Sequence, residues 1–191
     1  MKRVISLLCT LLLCLTITAN AETHTISVWL DVDAIDVRME RWESTLGVAM
    51  SYDPVHFAPN VETPDSIRFL DDEHAYIRFL SVVDKSMDEL LDDLLLQSGQ
   101  KDLEASDTVI GGIFVDEIEV PCVIYMLEDN GKQYVSSFFL VQRKNDILQI
   151  ESHYPLIFED NIVIAEHAAM MKSIVLTGDD ELSVVEPYPG K

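Results

Sequence analysis

Serine, histidine and carboxylate side chains that could form a hydrolase-like site fall on two neighbouring predicted strands. In the predicted register Ser136 lies across from His153, and Glu151 sits two residues away on the same face. A serine nucleophile, a histidine base and an orienting carboxylate together catalyse acyl transfer. However, Ser136 lies in mid-strand, and the sequence shows neither an exposed nucleophile elbow nor an oxyanion-hole loop. The favoured interpretation is therefore structural, and we expect no catalytic residues.

The second candidate nucleophile is Cys122. It follows Pro121 in an apolar stretch between Val120 and Val123. A thiol in such surroundings is typically buried and inert, because burial disfavours the reactive thiolate. A small secreted hydrolase that uses Ser136 or Cys122 remains the alternative to a non-enzymatic protein.

Acidic clusters raise the question of calcium. Asp31-Val32-Asp33 begins like an EF-hand loop, but its fifth, sixth and twelfth positions carry Ile35, Asp36 and Trp42. The required oxygen ligand, glycine and bidentate glutamate are therefore missing. The run Asp71-Asp72-Glu73-His74 is a better cluster on a predicted turn. A solvated turn is the favoured interpretation, and a calcium-responsive acidic protein stays open as an alternative.

A zinc site requires three or four histidine or cysteine ligands at a workable spacing. The five histidines are scattered and form no paired motif on a helix; they are His24, His56, His74, His153 and His167. We therefore expect no metal site and no cofactor.

Alternation and turn chemistry predict a chain made mostly of strands. A half-buried strand is predicted over Thr25 to Val37, the stretch from Arg38 to Ser44 fits either strand or helix, and the stretch Ala58 to Asp65 is predicted as loop. Further strands are predicted over Val48 to Tyr52, Ser66 to Leu70, Ala75 to Val83, and within Thr108 to His153.

Two helices are predicted. Ser86 and Glu89 form a capping box before a stripe of leucines, and Gly99 ends that helix. The second helix begins near Asp160 or Asn161, with its core side at Ile164, Ala168, Met171 and Val175.

The Asn130-Gly131 turn fixes a register for the central hairpin. It places Met126 beside Val135, Ile124 beside Ser137, and Cys122 beside Phe139. Both faces of this hairpin are then apolar, so each must be covered. The predicted fold is α+β: an antiparallel meander covered by helices on both faces, an α/β/α sandwich.

The N-terminus has the features of a secretory signal peptide. Lys2 and Arg3 precede an apolar run from Val4 to Ile17, and Ala19-Asn20-Ala21 supplies the small residues of a cleavage site. We expect cleavage after Ala21 and a secreted or periplasmic protein. Cleavage shortens the chain from 191 to 170 residues and takes the formal net charge from −21 to −23. This charge disfavours nucleic-acid and anionic-membrane partners and favours a monomer.

The stretch Trp42 to Pro54, with the sequence WESTLGVAMSYDP, resembles the opening strands of PsbP-like domains. Two later features also resemble that superfamily: a meander that ends in Ser152-His153-Tyr154-Pro155, and a helix that closes on Met171-Lys172-Ser173-Ile174. The superfamily includes the extrinsic subunit of photosystem II, a nuclear transport factor that binds Ran, and exported bacterial proteins. The resemblance implies an accessory or binding protein, and it carries over no functional residue.

The predicted organisation has four parts. A signal peptide spans 1–21, an N-terminal strand or extension 22–40, a single PsbP-like domain 41–176, and an acidic mobile tail 177–191. The predicted function is an exported, soluble, non-enzymatic binding or accessory protein whose partner is a protein or a small ligand.

Overall fold

The computed structural model describes residues 23–30, 33–63, 66–70, 75–99, 108–115, 118–129, 131–157 and 161–177. The predicted signal peptide, the acidic turn from Asp71 to His74, Asp31 and nearly all of the predicted tail lie outside the described residues. Within these ranges, no helix is long and apolar enough to cross a membrane.

Within these described ranges, eleven strands form two antiparallel sheets. The four-stranded sheet has, in spatial order, β1 (Thr23–Leu30), β2 (Asp33–Glu43), β3 (Val48–Tyr52) and β11 (Val175–Leu176). The seven-stranded sheet has the order β4 (Ala58–Thr63), β5 (Ser66–Leu70), β6 (Tyr76–Val82), β10 (Ile147–Pro155), β9 (Lys132–Gln142), β8 (Ile118–Asp129) and β7 (Thr108–Val115). The helices are α1 (Met87–Gly99) and α2 (Asn161–Lys172).

The predicted hairpin register is confirmed. Cys122 pairs with Phe139, and Ser136 on β9 pairs with His153 on β10. Gly131 has φ of +78°, the left-handed conformation that a tight hairpin turn needs and that glycine adopts without strain.

Each face of the seven-stranded sheet has its own core. The inner face, which carries Phe79, Phe139 and Ile150, packs with the four-stranded sheet and α2. The outer face packs Val123 and Phe138 against α1. The predicted α+β fold with helices on both sides of an antiparallel sheet is therefore confirmed. The second sheet, which shares the inner face with α2, was not predicted.

The capping box of α1 forms as predicted. The Glu89 carboxylate accepts a hydrogen bond from the Ser86 amide at 2.9 Å, and the Glu89 amide donates to Ser86 Oγ at 3.3 Å. Leu90, Leu91 and Leu94 are buried, so this helix presents its leucine stripe to the outer face.

The N-terminal prediction of one strand over Thr25 to Val37 was wrong. Two strands pair there, with Leu30 opposite Asp33, and β2 runs on as strand to Glu43. The reversal falls where the sequence has no Gly, Pro or Asn to signal a turn. Residues 23–40 also contribute Val28, Val37 and Met39 to the inner core.

The predicted loop from Ala58 to Asp65 contains the strand β4 instead. Pro59 is tolerated because β4 lies at the edge of the sheet, where a missing amide hydrogen breaks no ladder.

The core side of α2 was also misplaced. Ile164, Ala168 and Met171 are only partly buried, whereas Val163, Ala165, Glu166, His167, Ala169 and Met170 are buried. The prediction assigned only apolar residues to the core, but two polar residues occupy the most buried side of this helix.

Candidate functional site

The outer face carries a row of polar and aromatic side chains. Register places Ser136 on β9, His153 on β10 and Tyr76 on β6 side by side across three strands. The His153 ring stacks between Tyr76, with centroids 4.8 Å apart, and Tyr134, at 4.9 Å. Ser136 Oγ lies 2.8 Å from His153 Nδ1. The imidazole is therefore held on both faces and at one nitrogen.

Glu151 belongs to the same face but is engaged by other groups. Its carboxylate accepts a hydrogen bond from the Tyr76 hydroxyl at 2.6 Å and lies 3.6 Å from Arg78 Nη1. Burial, and then the nearby Glu151 charge, raise the pKa of Tyr76 above its usual range. Tyr76 is therefore neutral and donates this hydrogen bond, which fixes the side chains of Tyr76 and Glu151 on the outer face.

The geometry differs from that of a catalytic triad. In hydrolase triads the serine bonds Nε2 of the histidine, and the carboxylate bonds Nδ1. Here the serine occupies Nδ1, while Glu151 receives the Tyr76 hydroxyl. Ser136 is also only 3% exposed in the middle of a strand, so a substrate carbonyl has no path to its oxygen. The structure brings Ser136 and His153 together as the predicted register implies, but not in the arrangement of a catalytic triad.

Cys122 lies on the inner face, away from this row. It is buried in the principal core, and burial raises the pKa of its thiol. The two nucleophiles of the hydrolase alternative therefore belong to opposite faces of the sheet.

A cleft of about 570 Å³ opens between α1 and the outer face. Leu90 and Leu94 line its helix side, and Arg78, Gln149 and Glu151 line its sheet side. An ion pair closes one edge: Lys85 Nζ lies 2.6 Å from Asp93 Oδ2. The volume is within the range of small-molecule sites, which is ~300–1,000 Å³.

Gln149 is the unusual residue of this cleft. The residue is 94% buried in the middle of β10. Among the described residues no hydrogen bond joins its amide to another group, yet its atoms are not sealed from solvent, so the amide opens onto the cleft. An amide in such a position can form hydrogen bonds with water in the free protein and with a bound molecule in a complex. Gln149 therefore offers one acceptor and two donors to whatever occupies the cleft.

A second cavity, of about 420 Å³, lies beside α2. Asp53 and Glu166 line it, and His56 joins them, so that one ligand atom of each residue lies within 4.8 Å of the others. His56 Nδ1 is 2.7 Å from Glu166 Oε2 and 3.6 Å from Asp53 Oδ2. Burial, followed by the Asp53 carboxylate, raises the pKa of Glu166 to about 7, although His56 opposes this.

Local chemistry positions this cluster. The turn after β3 begins at Asp53, whose Oδ1 accepts the Val55 amide at 2.8 Å and whose carbonyl accepts the Phe57 amide at 2.9 Å. That turn aims His56 at the helix, where Glu166 is 2% exposed.

In the sequence His56 is one of five scattered histidines, and nothing links it to Glu166. The only local signal was Asp53-Pro54 followed by His56, which marks a turn and reveals no partner on a distant helix.

The other described histidines do not assemble with them into a histidine cluster. His24 Nε2 lies 2.8 Å from Ser51 Oγ on the four-stranded sheet. His167 is buried between Phe57 and Tyr154, and this burial lowers its pKa to about 4. His74 lies outside the described residues.

Comparison with known proteins finds no matching family model and no matching curated protein. Two solved structures are similar at 10% sequence identity. One is a protein from Bacteroides thetaiotaomicron VPI-5482, with a TM-score of 0.46 over 73% of this chain. The chain spans about half of that structure, 48%. The other is LpqN, involved in cell envelope biogenesis of Mycobacterium tuberculosis, with a TM-score of 0.34, 85% of this chain and 88% of LpqN.

Proposed function

We propose that this chain is an exported, non-enzymatic binding protein whose ligand enters the cleft between α1 and the outer face. The observation that carries the proposal is Gln149, a largely buried residue in the middle of β10 whose amide opens onto the cavity. Native proteins satisfy nearly all of their buried polar groups. The Gln149 amide follows this rule only if water or a ligand in the cleft supplies its hydrogen bonds, and the cavity has the size of a ligand site.

The lining defines the chemistry of the ligand. Leucines and Phe138 provide an apolar wall, while Gln149 and the Arg78–Glu151 pair provide a polar floor. The charged residues around the cleft sum to a slight negative charge, namely Arg78, Lys85, Asp84, Asp93 and Glu151. An uncharged or cationic amphipathic molecule with an amide or hydroxyl group fits this lining best.

Export is the second part of the proposal, and it is supported by the sequence. The signal-peptide pattern before Glu22 predicts a secreted or periplasmic protein. A PsbP-like domain is the finer form of the fold proposal; it is supported by the order of strands, helix, meander and helix. A monomer is expected, because the negative charge makes copies of the chain repel one another.

The test uses octanamide as a probe, because it combines an amide with an apolar chain. We expect octanamide, and not the anionic octanoate, to raise the melting temperature of the protein. Gln149→Leu should abolish this rise. Gln133→Leu, an exposed glutamine on β9 outside the cleft, should retain it. Equal stabilisation of both variants would place binding elsewhere and refute the proposed cleft.

Measurements of hydrolytic activity distinguish the hydrolase alternative from the non-enzymatic binding protein. A screen with ester, peptide and glycoside substrates should show no turnover above a boiled control. Turnover that disappears in Ser136→Ala or Cys122→Ala would overturn the non-enzymatic proposal. A melting temperature that rises in calcium would favour the cation-responsive alternative instead.

A further inference from the structure

Asp53, His56 and Glu166 form a cluster of metal-ligand atoms that is built by two separate elements. The turn after β3 supplies the first two residues, and α2 supplies the third, 110 residues later than His56. The cluster is not a surface accumulation of acids, because Glu166 is 2% exposed and the Asp53 side chain 13%. It lies at the wall of the second cavity, of about 420 Å³.

The spacing of the three side chains suits a small cation. Zinc binds histidine nitrogen and carboxylate oxygen at about 2.0–2.2 Å, so neighbouring ligand atoms of a tetrahedral site are about 3.3 Å apart. His56 Nδ1 is 3.6 Å from Asp53 Oδ2 and 2.7 Å from Glu166 Oε2. Opening the shorter distance by about 0.6 Å would meet this geometry. The half-exposed His56 ring can make that adjustment without moving the helix.

Charge favours the same conclusion. Two carboxylates that face each other in a buried position repel, and each loses hydration energy that it would keep in water. A divalent cation balances two carboxylates, while a neutral imidazole donates its nitrogen lone pair to the ion.

We propose that Asp53, His56 and Glu166 bind one divalent first-row transition ion, of which Zn²⁺ fits best. The imidazole ligand favours this class over Ca²⁺ and Mg²⁺, which prefer six or more oxygen ligands. Three protein ligands leave a fourth position open toward the adjoining cavity, where water or an anionic group can bind. This site is independent of the cleft proposed above.

The ion would link two elements that are distant in the sequence. It would join the turn after β3 to α2, and so hold the helix onto the four-stranded sheet. Because an unfolded chain does not present this site, zinc binding should stabilise the folded state.

The test is isothermal titration calorimetry with Zn²⁺ on protein that carries no histidine tag, at physiological salt and in excess calcium to suppress binding to surface carboxylates. We expect one equivalent of zinc per chain and a melting temperature that rises by about 5–10 °C when zinc exceeds its Kd 100-fold. Native mass spectrometry should show one added zinc.

Glu166→Gln and His56→Gln should each weaken zinc binding at least about 10-fold, since even groups that only orient a metal ligand contribute that much. His56→Gln keeps the test decisive if the buried Glu166→Gln does not fold, because the His56 side chain is 39% exposed. His24→Gln changes a histidine on β1 that is not part of the cluster. This variant is the matched control and should bind zinc like the wild type. Equal affinity of the wild type and His56→Gln, or no binding by the wild type, would overturn the proposal.

Discussion

Gln149→Leu should stabilise the unliganded protein while it removes the proposed binding function. Gln149 is 94% buried, and among the described residues nothing accepts or donates a hydrogen bond to its amide. An unsatisfied buried polar group costs about 1–3 kcal/mol. Because the Gln149 amide opens onto the cleft and can bond to water there, the lower end of that range is an upper limit for it. Leucine has a similar volume and lacks polar atoms, so the free energy of unfolding should rise, by at most about 1 kcal/mol.

Urea unfolding and thermal melting would both measure this change. For a chain of this size, 1 kcal/mol corresponds to about 2–4 °C in Tm. Gln133→Leu, at an exposed position of β9, should remain within about 0.5 kcal/mol of the wild type. A loss of stability of more than about 1 kcal/mol in Gln149→Leu would show that the amide is hydrogen-bonded in the free protein. The reasoning behind the cleft would then be refuted.

Further predictions concern the helix cap, a buried ion pair, the thiol and export. Ser86→Ala should lower the free energy of unfolding by about 1 kcal/mol in urea titrations, through loss of the cap of α1, and an unchanged midpoint would contradict this. Burial raises the pKa of Asp146, but the hydrogen bond and charge of Arg143 outweigh burial and hold this pKa below its ordinary value. The pair therefore stabilises the folded protein at pH values above the ordinary aspartate pKa, and this stabilisation is lost as the pH falls through the lowered pKa of Asp146. Asp146→Asn should therefore be less stable at neutral pH and less sensitive to acid, and a wild-type acid-unfolding curve would argue against the pair. In the mature form Cys122 should react with a thiol reagent only after denaturation, and reaction in the folded protein would contradict its burial. Intact mass should place the mature N-terminus at Glu22; a mass that retains the first 21 residues would exclude cleavage.

Features fixed by neighbouring residues could be predicted from the sequence. The capping box at Ser86 and the hairpin turn at Gly131 depend on contacts within a few residues, and both form as predicted. The turn then determined the register, which brought Ser136 beside His153. This contact is distant along the chain, yet it follows from two local turns.

Features fixed by pairing between distant strands could not be predicted. The division into two sheets requires Val175 to pair with Ala49, and no local pattern specifies that choice. Similarly, whether Pro59 interrupts a strand depends on its place in the sheet. At the edge it is tolerated, so composition alone predicted a loop there.

The metal-ligand cluster could not be predicted from the sequence for the same reason. Asp53 and His56 are neighbours in a turn, but Glu166 joins them only because α2 packs beside β3. A pattern restricted to apolar residues cannot reveal this packing, since it assigns Glu166 to the solvent side of the helix.

Each candidate site contains a polar residue at a buried position where an apolar residue would be expected. In β10 the neighbours Leu148 and Ile150 are fully buried apolar residues, yet Gln149 between them is buried against α1. In α2 the same conflict falls on Glu166. Proteins that fold well keep such conflicts few, because each one lowers stability, and they retain them mainly where function requires them.

If neither position binds a ligand or an ion, then Gln149→Leu and a suitable apolar replacement of Glu166 should both stabilise the chain at no functional cost. A destabilised apolar variant of Glu166 in zinc-free buffer would show that the carboxylate is satisfied by His56 and Asp53 alone.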